Sequence, residues 1–395
     1  MGIYVAGTSH SKFGKLEDKS IYDLICEAGK GALEDSGVEA KDIGGIWVGN
    51  FNAPVLNSQN HLGPIALDIH KDFRFKPATS VENACASGMS AILQAINAIR
   101  AGYVDFALVI GAEKMTSLDT KGVTYALAQA SHWELEGSKG MTFPGLFAEF
   151  AKGYMNKYNI NLDRLRVAFA KIASKNHKNA LHNPLAQLPR DLSYEDILNL
   201  PENKNPIVAD PLRVYDCSLI SDGAAAVVLT NKKEAAKKNG CTIEIAGIKH
   251  VSDYLSMKNR ENYSLPGAKI AIESVLKETN LTIDDIDFAE IHDCFTIAEI
   301  MLYEAMGLAK PGEGYLLIDE DTVFPGGKLP VNLSGGLKAK GHPVGATGVS
   351  MAVLATRQLM GDPIGLKDEN AKVGLTFNLG GSGSTNIAAI FKRID

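Results

Sequence analysis

The chain has little cysteine, and none of it is spaced for pairing: Cys26, Cys85, Cys217, Cys241 and Cys294 are five thiols in 395 residues. An odd number without metal-type pairs excludes a disulfide framework or a zinc ribbon and predicts free thiols in a reducing compartment. Long apolar runs are missing as well, none approaching the roughly 18 to 20 residues of a membrane-spanning helix. Nor does one sign of charge prevail. Forty basic and 46 acidic residues are interspersed, for a net charge of −6, so no polybasic tract exists to follow a nucleic acid backbone. An anionic ligand must be met by local groups. The first residues, MGIYVAGTSHSKFGK, lack a charged region ahead of an apolar one, and the expectation is a cytoplasmic protein.

What is present is an apolar fraction of 45%, enough for more than one core, and a repeat. Residues 27–51 (EAGKGALEDSGVEAKDIGGIWVGNF) and 271–295 (AIESVLKETNLTIDDIDFAEIHDCF) each read as a helix, a polar turn with Asp-Ile, an apolar strand and a turn closed by Phe. Residues 85–115 and 345–384 each read as a Gly-containing helix start, an apolar helix and a buried strand. Helices alternating with nearly continuous apolar strands such as VDFALVIGAE predict parallel or mixed sheets covered on both faces. A helix that is apolar nearly all round, as in AILQAINAI, belongs between layers. The expectation is two duplicated halves, residues 1–117 with 215–245 and residues 246–395, stacking central helices between two sheets. Residues 118–214 lack the repeat, are rich in Lys, Asn, Pro and aromatic residues, and read as an inserted loop domain.

Four stretches can carry chemistry. In SVENACASGMSAI, Cys85 stands where an extended run breaks and a helix opens; the positive end of the helix dipole favours a nucleophilic thiolate there. The same place also suits a small buried apolar residue. His342, in GGLKAKGHPVGATGVS, opens the equivalent helix of the second repeat, so a pseudo-twofold predicts a Cys–His pair; the other reading is a satisfied loop histidine. This glycine-rich loop lacks the spacing of either nucleotide-binding signature. His292 and Cys294, in AEIHDCFTIAE, follow a strand, and ligands of α/β sheets gather beyond strand carboxyl ends. In FNLGGSGSTN, Gly380, Gly381 and Gly383 either offer N–H groups to an oxyanion or make a tight turn. Cys217 reads as packing.

Together these stretches resemble the thiolase family over nearly the whole chain, through NACASGMSAI, SLISDGAAAVVL, GGLKAKGHPVGATG and NLGGSGST. HDCF at 292–295 and KNHKNALHNPLAQ at 175–187 are similar to the branch holding the thiolase domain of sterol carrier protein X and the archaeal-type acetyl-CoA acetyltransferases. The better-known two-cysteine thiolases carry Asn-Glu-Ala-Phe in place of HDCF, and a cysteine in place of Asn378. The resemblance implies a five-layered αβαβα fold and an acetyl-CoA C-acetyltransferase. Such an enzyme joins two acetyl-CoA into acetoacetyl-CoA and CoA, or runs the reverse thiolysis. It implies Cys85 as the acylated nucleophile, His342 as its activator, and Cys294 as the α-proton base that replaces the thiol missing at 378. It further implies His292 and His342 on the thioester oxygen, the N–H groups of Cys85 and Gly380 as oxyanion hole, and Ser218 on the pantetheine arm. CoA is a substrate, and no cofactor or metal is implied.

Lys171, Lys175 and Lys178 fall at i, i+4 and i+7; Lys175 and Lys178 are candidates for the CoA phosphates, the alternative being a solvated helix face. The implied partners are acyl-CoA, further copies in a homodimer or homotetramer, a zinc-ribbon/OB-type protein and hydroxymethylglutaryl-CoA synthase. The competing functions are a degradative 3-ketoacyl-CoA thiolase and a non-catalytic subunit that channels acyl-CoA. A thiolase-like aldolase is disfavoured, because an aldolase has no need of the acylated cysteine.

Overall fold

The computed structural model describes residues 1–238, 240–260 and 264–394. The first half runs β1 (Tyr4–His10), α1 (Ile21–Ser36), β2 (Gly45–Gly49), α2 (Ala53–Asn57), β3 (Ala78–Val81), α3 (Ser87–Arg100) and β4 (Phe106–Glu113). Helices α4 (Thr120–Ala128), α5 (Phe143–Tyr158), α6 (Leu162–Asn179) and α7 (Tyr194–Leu198) and the hairpin β5 (Ile207–Ala209) and β6 (Leu212–Arg213) intervene before β7 (Gly223–Thr230). The second half runs β8 (Ile243–Ser252), α8 (Pro266–Thr279), β9 (Phe288–Ile291), α9 (Thr296–Ala305), α10 (Val344–Leu359), β10 (Val373–Gly380) and β11 (Thr385–Arg393). Local chemistry sets the helix ends. At α1, Ser20 and Asp23 form a reciprocal capping box, and Gly37 at φ 66 closes the helix in the left-handed conformation that glycine adopts without a Cβ clash.

Both halves pair their strands in the same way. In one, β2 lies parallel to β3 and β4, with β4, β7 and β1 antiparallel in succession. In the other, β9 lies parallel to β10, with β10, β11 and β8 antiparallel. Where the first half has β3 beside β2, the described residues of the second have an isolated parallel bridge from Val331 to Ala289. The two sheets expected from sequence are joined at one edge, where Tyr4 pairs with Glu244, so the hydrogen-bonded order is β3-β2-β4-β7-β1-β8-β11-β10-β9.

Helix α10 packs on α3, β4, β7 and β10, and Arg357 is its one residue that is not buried. Helix α1 covers β1, β4 and β7 from outside, and α8 covers β8 and β11. The order is outer helix, sheet, central helix pair, sheet, outer helix. The central helices touch backbone to backbone: a Cβ on Gly88 would lie 2.7 Å from the Gly345 carbonyl, and one on Gly348 would collide with the Met89 nitrogen. Glycine is required for that approach. Cys85 and His342 each stand two residues ahead of these helices, which begin at Ser87 and Val344, so helix contact brings the two residues together.

The segment between β4 and β7 leaves the first half and lies against the second. Helices α5 and α6 contact α9, and Phe147 stacks on Phe295 at 4.4 Å between centroids. Asp222 fixes where the segment departs, accepting the N–H groups of Met115 and Thr116, each at 2.8 Å, and pairing with buried Lys114 at 2.8 Å.

Candidate active site

Four chain segments converge where α3 and α10 begin. Sγ of Cys85 and one ring nitrogen from each of His292 and His342 lie within 4.8 Å of one another. The two imidazoles meet edge to face, 5.0 Å between centroids. Each side chain is delivered by a different device. Ala84 at φ 51 holds the left-handed conformation that turns β3 into α3, placing Cys85 at the bend. His342 lies between Gly341, at φ 115, and Pro343. Its backbone N–H goes to Ser221 Oγ at 2.9 Å, and its Nδ1 lies 2.7 Å from Thr347 Oγ1. His292 follows β9 directly, its Nδ1 lying 3.1 Å from Nδ2 of Asn378 in β10. The same Asn378 nitrogen donates to the Cys85 carbonyl at 3.1 Å.

Cys294 stands beside this group rather than in it. It is buried, and the charge of Cys85 bears on its thiol. Its carbonyl accepts the Ser218 N–H at 2.8 Å, and Cys217 bridges Phe295. Ser218 thus borders the HDCF turn. Beside the expected Gly380, the N–H group of Gly381 bears on the Cys85 thiol, together with that of Cys85 itself, each acting against the rise that burial causes. Gly380 is still paired in the strand ladder opposite Thr385, and a Cβ on it would lie 2.6 Å from the Asn83 carbonyl. Its smallness lets the strand pass the Cys85 turn.

Burial governs the ionisation of the site. The expected resting thiolate is absent: desolvation pushes the Cys85 thiol up to about 12, against the N–H group of Gly381, and Glu113 adds to the rise. Burial raises Cys294 well above an ordinary thiol, and the Cys85 charge raises it further. His342 falls to about 3, through burial and then the charge of Lys340. Burial, followed by the charges of His342 and Lys340, takes His292 well below the usual imidazole range. At neutral pH the site holds two thiols and two neutral imidazoles. The alkylation rate of Cys85 by iodoacetamide is therefore expected to climb about tenfold per pH unit from pH 7 to 10, following the thiolate fraction. A plateau over that range would mean that a thiolate is already present.

The motif at 175–187 does structural work that sequence reading missed. Lys175 is corrected: its ammonium pairs with Glu299 at 2.8 Å and donates to the Val331 carbonyl at 2.8 Å, with 0% of the side chain exposed, so it cannot reach a phosphate in solvent. Lys171 is held by Asp319 at 2.7 Å; Lys178 is the more exposed, on the rim of a cleft of about 630 Å³ that none of Cys85, His292, Cys294 and His342 lines. Asn176 donates to Asp293 and Glu299, each at 2.8 Å. Asp293 in turn accepts the N–H groups of Leu337 at 2.6 Å and Lys338 at 3.1 Å, fixing the π-helical turn Gly336–Lys340 that leads to His342. Asn183 donates to the Ser334 carbonyl and Gln187 to that of Ile220. Side-chain amides therefore tie the inserted segment to the loops bearing His292 and His342.

Glu113 and Thr347 were also missed, lacking any local signal. Glu113 accepts the N–H groups of Phe51 at 2.8 Å and Gly345 at 3.0 Å, anchoring the start of α10. Replacing Lys175 with methionine strands Glu299 as an unpaired buried charge, and unfolding free energy in urea is expected to fall by about 3 to 5 kcal/mol. A loss under about 1 kcal/mol would mean that the pair is not carrying that charge.

Sulfur and imidazole at this spacing are donors a zinc ion accepts. The wiring differs from a metal site, however: an amide N–H donates into the outer nitrogen of His292, the reverse of the outer hydrogen bond that metal-bound histidines make.

Residues 3–233 match the family description "Thiolase, N-terminal domain", and residues 250–393 match "Thiolase C-terminal domain-like". The acetyl-CoA acetyltransferase of Methanothermobacter thermautotrophicus is 39% identical over 392 residues, covering 99% of each chain. Sterol carrier protein 2 of Homo sapiens is 31% identical over 406 residues, covering 99% of this chain and 72% of that one. Among solved structures, the "Ltp2-ChsH2(DUF35) aldolase" superposes with a TM-score of 0.80 at 21% identity, covering 99% of this chain and 97% of that one. That last likeness is one of fold.

Proposed function

The chain belongs to the thiolase family, and on that premise we propose that it is an acetyl-CoA C-acetyltransferase, making acetoacetyl-CoA and CoA from two acetyl-CoA or running the reverse thiolysis. The observation that carries this reading is the convergence of Cys85, His292 and His342 within 4.8 Å, with Cys294 two residues after His292 in the same buried turn.

In this reading the Cys85 thiol gives its proton to His342 as the sulfur attacks the thioester carbonyl. A raised thiol pKa beside a lowered imidazole pKa makes this a transfer during attack rather than a standing ion pair. The N–H groups of Cys85 and Gly381 hold the carbonyl oxygen as it becomes an oxyanion. The departing CoA sulfur takes the Cys294 proton, leaving acetyl-Cys85 and a Cys294 thiolate. That thiolate removes an α-proton from the second acetyl-CoA, and a high thiol pKa makes it the stronger base. His292 donates to the enolate oxygen while the carbanion attacks acetyl-Cys85. The Cys85 sulfur leaves and recovers its proton from His342.

Incubation with radiolabelled acetyl-CoA, followed by peptide mapping, is expected to place the label on Cys85. An unlabelled Cys85 supports the channelling subunit instead. Thiolysis across a ladder of 3-ketoacyl-CoA lengths separates the enzyme from a degradative thiolase: preference for acetoacetyl-CoA supports the proposal, and preference for longer or branched chains replaces it. The proposal includes Ser218 on the pantetheine arm and Lys178 near a CoA phosphate, with the segment 118–214 as a loop domain inserted within the first half, between residues 1–117 and 215–245. It also includes a cytoplasmic location and a homodimer or homotetramer. A zinc-ribbon/OB-type partner and hydroxymethylglutaryl-CoA synthase complete the expected assembly; the naming of a DUF35 component with the aldolase neighbour is in keeping with a protein partner.

A further inference from the structure

The two histidines beside Cys85 differ in what meets their outer ring nitrogens. A backbone carbonyl only accepts hydrogen bonds, so the atom of Asn378 lying 3.1 Å from the Cys85 carbonyl is the amide nitrogen; oxygen there would oppose oxygen. The second N–H of that nitrogen reaches Nδ1 of His292 at 3.1 Å. Nδ1 therefore holds the lone pair, and the neutral ring carries its proton on Nε2. That Nε2 is buried and has no partner among the described residues. A buried donor left open in a reactive cluster is an address for an acceptor supplied by the substrate. The Asn378 oxygen faces α10 at Gly348, where a Cβ would collide with the amide, and is itself buried with no partner among the described residues, so the orientation is set by the Cys85 carbonyl. Thr347 sets the opposite state in His342. Its one hydroxyl proton goes to the Pro343 carbonyl at 3.0 Å, and its lone pair receives Nδ1–H at 2.7 Å, leaving the lone pair of that ring on Nε2.

We propose that Asn378 is a positioning residue that fixes His292 as an Nε2–H donor, so that the histidine pair beside Cys85 presents one proton to the thioester oxygen, from His292, and one lone pair to the Cys85 thiol, from His342. The inference deepens the acyl-transfer reading above and rests on it for the identity of the acceptor. It also assigns a task to position 378, where the two-cysteine thiolases carry a thiol: an amide here donates to His292 and to the Cys85 carbonyl at once. A side chain able only to accept would reverse the His292 ring.

The test is 15N-histidine labelling of the full chain, with the His292 resonances identified by their loss in His292→Gln. The wild type is expected to give a pyridine-type shift at Nδ1 of His292 and a pyrrole-type shift at Nε2. Asn378→Asp, whose carboxylate accepts, is expected to exchange the two shifts. It should also lower kcat by about 10²- to 10³-fold, the cost of losing one oxyanion donor, while KM for acetyl-CoA moves less than about threefold. Asn378→Ala, which neither donates nor accepts, is expected to give averaged shifts and an intermediate kcat. A pyrrole-type Nδ1 in the wild type overturns the proposal, as does an Asp variant that keeps the wild-type pattern. Should the Asp variant fail to fold by circular dichroism, the wild-type spectrum decides alone. Failure of the labelled acetyl group to reach Cys85 removes the acyl-transfer reading but leaves the tautomer assignment intact.

Discussion

Replacing Cys85 with alanine is expected to lower kcat for both condensation and thiolysis by at least about 10⁴-fold, since every route through the acyl-enzyme needs that sulfur. This corresponds to about 5 kcal/mol of barrier. The loss should be chemical rather than structural. The turn at Ala84–Cys85–Ala86 is already built from small residues, and replacing a thiol with a methyl group removes one heavy atom, so thermal unfolding should move little. His342→Ala added to the same chain is expected to cost almost nothing more, because nucleophile and base act as one unit. The measurements are steady-state thiolysis of acetoacetyl-CoA, acetyl labelling and a melting curve. Alanine variants that keep more than about 1% of the activity would rule out the covalent route.

Cys294→Ala is expected to separate the two half-reactions. Removing the general acid–base group should slow condensation by about 10²- to 10⁴-fold. Acetylation of Cys85 should still go to completion, though more slowly, because the attacking sulfur, His342 and the N–H groups of Cys85 and Gly381 remain in place. Label accumulating on Cys85 without acetoacetyl-CoA is the diagnostic pattern. Undiminished condensation would return the α-proton to another base. Loss of labelling together with condensation would instead mean that the HDCF turn is needed to build the acylation site, and a melting curve separates the two outcomes because Phe295 stacks on Phe147.

How much of the site was legible can be judged from single residues. The helix-start pattern at Cys85 and the glycine-rich loop at His342 were readable because the repeat made them equivalent, and equivalence is visible in a linear string. Lys175 was misread for a related reason. Helical spacing gives the face on which a lysine lies, but not whether another element covers that face, and here α9 brings Glu299 onto it. Gly380 and Gly381 are neighbours with equal sequence credentials, and only the strand ladder, which runs through Gly380, tells them apart. The thiol of Cys85 shows the same limit in its electrostatics. A helix N-terminus argues for a lowered pKa, yet desolvation by the surrounding halves acts in the opposite sense and prevails.

Amino-acid order alone therefore fixed the duplicated αβ plan and the short stretches where reactive residues sit, because apolar period and glycine placement are local properties of the chain. The folded chain decided the rest. Which thiol is protonated, which backbone N–H faces the sulfur, and which way each imidazole carries its proton all depend on groups up to about three hundred residues apart in sequence, such as Cys85 and Asn378, that meet only when the two halves close on each other. Desolvation and hydrogen-bond direction are properties of that closed interior, and no window of sequence contains them.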